Sequence, residues 1–331
     1  MKKIFIISSL ILALFAFNGC KKNANYNPDL PTIGIAKLIN HNSLNDAERG
    51  IIDELNAQGV KVNIQQLDAN GDLGNATAIA NKFKTDKVKV AVGIATPMTA
   101  TLYNVLDNTP IVFTAVTDPV MGGFATSITQ GKKNITGVID AIPIKEQLEE
   151  FRKFYNFKRI GVIYTSSEAN SISMIETTKK ACDELGIELV LQSITTPADL
   201  KQAAESMVDR VDAFYCFTDN SIATAMSALT ETAMQKKIPV FGGDITPTLN
   251  GGVVYALGYS YYEMGRMTGK QIIEILNGKK AEELPILSLK DEKYYNKLFD
   301  LDAAANLGIT VSDEMQKKAT YLIKNRQLIQ K

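Results

Sequence analysis

From Thr32 onward, short apolar runs alternate with amphipathic stretches, and this alternation restricts the fold more than any single motif does. Thr32–Leu38 is an apolar run of strand length. Ser43 then caps a stretch in which Leu44, Ala47, Ile51 and Leu55 recur at three and four residues before Gly59 ends it, the pattern of a helix with one buried face. Val60–Leu67 reads as a second strand, Leu73–Lys84 as a helix and Val88–Gly93 as a third strand. Thr96-Pro97 opens another helix, and Pro110–Thr114 is a fourth strand. Strands separated by helices of this length predict a parallel sheet covered on both faces.

The same order then recurs. Arg159–Tyr164 reads as a strand, about Asn170–Leu185 as a helix ended by Gly186, and Ile187–Ile194 as the next strand. An offset of 127 residues lays Ile33 on Ile160, Gly34 on Gly161, Gly59 on Gly186, Leu73 on Leu200 and Ala76 on Ala203. So few identities say little about ancestry, but they do predict two successive α/β units of one architecture. The second unit continues with strand Asp212–Thr218, a helix over about Asn220–Lys236, and strands Ile238–Gly242 and Gly252–Gly258. A helix follows over about Tyr261–Leu276 with the stripe Met264, Met267, Thr268, Ile272, Ile275, and is expected to cross back to the first half. The predicted fold is α/β, with two doubly wound parallel-sheet lobes joined by hinge strands. The expected hinges lie near Ile139–Ala141, at Gly251-Gly252 and over Lys279–Leu284. Lobe 1 is then 32–139 plus about 253–280, and lobe 2 is 140–252 plus about 281–331.

The N-terminus says where such a body works. Lys2 and Lys3 precede an apolar run from Ile4 to Phe17, 14 residues long, against about 20 for a membrane-spanning helix. Residues 1–19 are therefore read as a signal peptide. Phe17-Asn18-Gly19-Cys20 resembles the bacterial lipobox, in which the cysteine thiol is acylated and the cysteine becomes the new N-terminus. Residues 20–31, polar and carrying Pro28 and Pro31, are read as a lipid-anchored tether.

Composition narrows the function. The 36 basic and 36 acidic residues cancel and no basic patch is visible, so a nucleic-acid partner is not expected. The single histidine, His41, is too few for most hydrolytic triads and zinc sites. No phosphate-binding glycine loop, nucleophile elbow or C-x-x-C pair occurs, and neither an enzyme, a metal nor a cofactor is expected. Cys182 and Cys216 lie on apolar faces and read as buried thiols, although an exported pair could form a disulfide.

In open parallel sheets ligands bind beyond the carboxyl ends of the strands, and the residues there are polar. They are Asn40, His41 and Ser43 after the first strand, Thr96 after the third, and Thr117 and Asp118 after the fourth. The second unit contributes Thr165, Ser166, Ser167, Asp219, Asn220, Asp244 and Tyr259. Taken singly, Thr, Ser, Asp and Asn in such places are more often helix caps than ligand contacts, so the meaning lies in the set. The turn at Thr96-Pro97 or the hydroxyls of Thr165–Ser171 suit a carboxylate, and Asp219 and Asp244 suit an ammonium. An α-amino acid carries both charges. Tyr164, Tyr259 and Phe113 stand near the rims and favour an aromatic side chain over an aliphatic one. A nucleoside-like metabolite is the rival, and the absence of tryptophan disfavours a sugar.

Several segments carry a family resemblance. They are Pro110-Ile111-Val112-Phe113 with Ala115-Val116-Thr117-Asp118-Pro119-Val120, Asn134-Ile135-Thr136-Gly137-Val138, Arg159-Ile160-Gly161-Val162-Ile163-Tyr164, Thr218-Asp219-Asn220, Ile238-Pro239-Val240-Phe241, and Gly258 with Tyr261-Tyr262-Glu263-Met264-Gly265-Arg266. The chain resembles the substrate-binding lipoproteins of ABC transporters in the tryptophan/tyrosine-type group, which have the type I periplasmic binding protein fold. The resemblance implies a monomer anchored outside the cytoplasm through Cys20. It would clamp a small ligand between its lobes and deliver it to a membrane permease; the same clamp could instead signal to a membrane receptor. Two departures touch the cleft. Gly93-Ile94-Ala95-Thr96-Pro97 stands where Gly-Thr-Pro is usual, and Asn40-His41-Asn42-Ser43 where His-Pro is common.

Overall fold

The computed structural model describes residues 26–153, 155–289 and 294–331. The expected signal peptide, Cys20 and residues 21–25 of the tether lie outside them. Residues 26–31 are less free than a tether would be, because Asn63 Nδ2 donates to the carbonyls of Asn27 and Leu30, and Asn27 N–H donates back to Asn63 Oδ1.

In chain order the first elements are β1 (Thr32–Lys37), α1 (Asn42–Ala57), β2 (Asn63–Asp68), α2 (Leu73–Asp86), β3 (Val90–Ile94), α3 (Thr96–Val105) and β4 (Ile111–Val116). A short hairpin of β5 (Ala125–Ser127) and β6 (Gln130–Gly131) precedes β7 (Ile135–Ile139). Next come α4 (Ile144–Arg152), β8 (Arg159–Thr165), α5 (Ala169–Leu185), β9 (Glu188–Ile194), α6 (Leu200–Met207) and β10 (Ala213–Cys216). They are followed by α7 (Asn220–Thr224), α8 (Met226–Gln235), β11 (Val240–Gly242) and β12 (Tyr255–Tyr259). The remainder is α9 (Tyr261–Leu276), β13 (Leu287–Ser288), β14 (Tyr295–Asp300), α10 (Leu301–Asn306), α11 (Asp313–Lys317), β15 (Tyr321–Lys324) and β16 (Gln327–Gln330).

One sheet has the order β13-β7-β4-β3-β1-β2, all parallel. The other runs β16-β15-β14-β12-β11-β10-β8-β9 and is parallel from β9 to β12. The cores β2-β1-β3-β4-β7 and β9-β8-β10-β11-β12 have the same order, so the offset of 127 residues reports a real repetition of architecture. In each, the chain leaves the first strand to opposite sides, which opens a crevice at the carboxyl ends of β1 and β3, and of β8 and β10. Every residue of β3, β4 and β7 is buried, as layers of helix on both faces require.

The sheets move the expected hinges. The first crossing follows β7, the last strand of the first sheet before the chain enters the second. The second is at Ser260, because β12 pairs with β11 and β14 in the second sheet while α9 packs on α1. Gly251-Gly252 is instead a turn inside lobe 2, with φ of +94° and +89° and Gly252 N–H bonded to Asp300. Lys279–Leu284 stays with lobe 1, since β13 still pairs with β7, and the third crossing falls between β13 and β14. Residues 255–259 therefore belong to the second sheet and 287–288 to the first.

Two helices differ from the reading. Helix α4 was not anticipated; its Phe151 stacks on Phe241 at 4.7 Å and seats it on the second sheet. The expected helix over 220–236 is broken at Ala225, whose φ and ψ of −113° and 21° leave the helical region.

Helix α9 returns to lobe 1 by backbone contact. A Cβ on Gly265 would stand 2.1 Å from Ala47 O, and one on Gly50 2.1 Å from Tyr262 O, so only glycine lets α1 and α9 approach this closely. The fully buried Glu54 is paired there with Arg266 at 2.6 Å. Cys182 and Cys216 are free and buried, and burial pushes their thiols up to about 11 and about 12.

Candidate ligand site between the lobes

The two crevices face each other, and hydrogen bonds span the gap. Ser43 Oγ donates to Asp244 Oδ2 at 2.6 Å, and Ser173 Oγ donates to Asp118 Oδ2 at 2.9 Å. Thr117 and Thr218 hydroxyls lie 3.3 Å apart, as do His41 Nε2 and Asn220 Oδ1. A pocket between these contacts is lined from lobe 1 by His41, Leu44, Ala115 and Thr117, and from lobe 2 by Asn170, Phe217, Asp219, Asn220, Met226 and Asp244. Asp140 and Tyr261 close it at the crossings. Its free volume is about 20 Å³, room for about one water. A larger ligand enters only when the lobes part.

Local backbone builds the lobe 1 rim. Ala95 and Ala115, at or beyond the ends of β3 and β4, have φ of +79° and +54°, a region that costs an L-residue about 1–3 kcal/mol. The surrounding fold holds them there, and Ala115 lines the pocket. The unusual Gly93-Ile94-Ala95 segment is thus a strand that continues to Ile94 and then turns sharply. Thr96 is the first residue of α3 rather than its cap, and its buried Oγ1 has no partner. Ser43 is likewise inside α1 and not its cap. His41 takes the cap position without a side-chain bond, which leaves the first-turn amides of α1 uncapped by any side chain.

The carboxylates differ in how they are held. Asp219 caps α7 through Ile222 N–H at 3.1 Å and also accepts from Thr165 N–H, Thr165 Oγ1 and Ser171 Oγ at 2.7, 2.8 and 2.6 Å. Asp244 accepts from Ser43 Oγ and from Thr246 N–H at 2.9 Å, and the Thr246 hydroxyl also acts on it. Burial pushes Asp244 up to about 7, and nearby Asp140 adds to the shift while these donors oppose it. Asp140 accepts from Tyr261 OH and Thr117 Oγ1 and is also raised, chiefly by burial. Glu168, behind the pocket, accepts from the amides of Asn170 and Asn220 and is raised by burial and by Asp219. Burial takes His41 down to about 4, so its imidazole is neutral. Among the described residues no Lys or Arg lines the pocket; Lys37, near His41, is committed to Glu48 and Asn45.

Of the residues singled out in the sequence, His41, Thr117, Asp219, Asn220 and Asp244 come together here. Asn40 lines an outer cavity and accepts from Asn45 Nδ2. Ser43 and Thr165 reach the site only through Asp244 and Asp219. Asp118 holds the turn at Val120 and Met121 besides accepting from Ser173. Ser166 and Ser167 are exposed, so the expected three-hydroxyl carboxylate turn does not form. Tyr259 is stacked on Tyr295 at 4.9 Å beside the crossing, and Phe113 packs edge-on against Phe124 in the core. Neither these nor Tyr164 lines the pocket; its rings are Phe217 and Tyr261. Asp140 and Glu168 were not anticipated as site residues. Phe217 was taken as strand core, although it follows the last residue of β10 and so falls on the rim by the strand-end rule.

Comparison with known proteins agrees with this geometry. The family model for ABC transporter substrate binding protein matches residues 32–323. A tyrosine-binding protein of Clostridioides difficile (strain R20291) is 31% identical over 341 residues, covering 96% of this chain and 99% of that one. An ABC domain from Streptococcus pneumoniae in complex with L-Trp superposes with a TM-score of 0.84 at 26% identity, over 89% of this chain and 100% of that one. The ligand-free, open structure of a Clostridium difficile substrate binding protein with adhesive properties gives 0.67 at 29% identity, over 86% and 97%. The cross-lobe bonds of this chain fit that order, the open structure superposing less well despite its higher identity.

Proposed function

The chain belongs to the family of ABC transporter substrate binding proteins, and from that premise we propose that it captures an amino acid with an aromatic side chain. The observation that carries the reading is the charge of the lining, with Asp140, Asp219 and Asp244 present and no Lys or Arg among the described residues. Such a pocket suits an ammonium group. Asp244 is its partner, because Asp219 already has four protein donors. The carboxylate meets the uncapped amides of α1 at its positive end, where His41 and Leu44 line the pocket. Phe217, Tyr261, Leu44 and Met226 supply an apolar wall for the side chain. The tyrosine-binding relative and the L-Trp complex support the same class.

Members of this family work outside the cytoplasm, and among the described residues no helix is long and apolar enough to cross a membrane. In the proposed cycle a monomer held by acylated Cys20 closes on its ligand and hands it to a permease. Closure is selected because the ligand touches both lobes. Isothermal titration with L-tyrosine and L-tryptophan, alongside native mass spectrometry of any co-purified molecule, tests the reading. Saturable binding of either amino acid is expected. A co-purified molecule without an amine, with no binding of either amino acid, would overturn it.

A further inference from the structure

Three groups link the back of the pocket to the chain's one histidine. Glu168 Oε2 accepts from Asn170 Nδ2 and from Asn220 Nδ2. With its Nδ2 held on a carboxylate, the Asn220 amide turns its other end, Oδ1, toward His41 Nε2 at 3.3 Å. An amide oxygen cannot donate, so Nε2 must carry the proton. In a neutral imidazole Nδ1 is then a bare acceptor. The opposite tautomer would need Asn220 reversed, setting its oxygen against Glu168, two acceptors in contact in a buried place whenever that carboxyl is ionised, so the Nε2–H tautomer is the one held above the raised Glu168 titration.

His41 Nδ1 is buried and has no hydrogen-bond partner in the protein. The ring stands at the junction of two cavities, the inner pocket between the lobes and the outer one bounded by Asn40, Asn42 and α8. A buried acceptor without a partner, on a residue lining a ligand pocket, marks a place where the ligand supplies the hydrogen. Asn170 Oδ1, on the lobe 2 side of the lining, is likewise buried without a protein partner, so the ligand has an acceptor to meet on each lobe, whereas Asp140 and Asp219 already accept from protein donors.

We propose that Glu168 and Asn220 hold His41 in the Nε2–H tautomer so that Nδ1 accepts a hydrogen bond from an N–H or O–H of the ligand, making His41 a selector for donor-bearing ligands. The proposal rests on the reading of this pocket as an amino-acid site, and it extends that reading from charge to hydrogen-bond direction. Glu168 and Asn220 act as positioning residues. Asn220 touches His41 and Glu168 acts through Asn220, and the effect of both appears in the histidine's tautomer.

Because the chain has a single histidine, nitrogen NMR of protein labelled with ¹⁵N-histidine reports His41 alone. The expected spectrum shows the Nε2–H tautomer in the wild type and a mixture of tautomers in Asn220→Ala. An Nδ1–H tautomer in the wild type overturns the proposal. Titration with L-tyrosine and L-tryptophan then separates it from the reading beneath it. Binding that moves the Nδ1 resonance supports the proposal. Binding that leaves Nδ1 unmoved overturns it and leaves the amino-acid reading standing; no binding of either overturns that reading and the ligand half of the proposal together. His41→Gln keeps a donor for Asn220 and loses the Nδ1 acceptor, so affinity should fall about tenfold. His41→Asn places an oxygen near Nδ1 and should stay within about threefold of the wild type. Equal affinities in the two variants would contradict the assignment.

Discussion

Asp219 and Asp244 stand after neighbouring strands of one sheet, line one pocket and are both buried, yet they are held in opposite ways. Asp219 is saturated within lobe 2. Its four donors come from β8, α5 and α7, so it ties the switch point together. Asp244 is held by only two of the described residues, Thr246 beside it and Ser43 from the other lobe. A carboxylate whose lone pairs are all engaged builds the site, and one left short of donors is available to a ligand. The pair thus separates scaffold from recognition within a single rim, and substitutions can test that separation.

The largest effect should be on stability. Asp219→Ala removes a helix cap and strands three buried donors, a loss of about 3 kcal/mol, read by chemical denaturation. A loss under about 1 kcal/mol would break the comparison from the scaffold side. Asp244→Asn should leave stability nearly unchanged or higher, because a desolvated charge is removed. Ligand affinity should fall about thirtyfold, equivalent to about 2 kcal/mol, by calorimetry.

A third prediction follows from burial. The folded Asp244 carboxyl keeps its proton up to about 7 against 3.8 ordinarily. The folded state therefore binds more protons than the unfolded state between these values, and this group's contribution to stability falls as pH rises from 3.8 to about 7. Ammonium binding needs the ionised carboxylate, so affinity should move the other way and drop about tenfold from pH 8 to pH 6. Asp244→Asn should flatten both slopes, as denaturation and titration across pH would show. The smallest effect is expected from Ser43→Ala, which loses one cross-lobe bond, about 1 kcal/mol. Small-angle scattering should then show a larger open fraction.

Much of the frame was legible in the sequence, because apolar runs and helical stripes report burial directly. The strand-end rule named His41, Thr117, Asp219, Asn220 and Asp244, which the fold brings together between the lobes. It could not tell which carboxylate was free, since the donors to Asp219 come from residues 48 and 54 positions away. Hinges were misread for a similar reason. Gly251-Gly252 has the composition of a hinge, but the bond to Asp300 that makes it a turn comes from a distant strand. Helix α4 was missed because its apolar stripe is only nine residues long and its anchor, Phe241, lies far along the chain. Tyr259 was named for its strand-end position and its ring and Phe113 for its ring near the rim, whereas their packing partners Tyr295 and Phe124 keep both off the pocket lining.

The most direct test of the two-carboxylate account is a crystal structure of the protein grown with L-tyrosine. The account predicts the ligand ammonium within hydrogen-bond distance of Asp244, with Asp219 still held by Thr165, Ser171 and Ile222. An ammonium seated on Asp219, with Thr165 and Ser171 displaced, would contradict it.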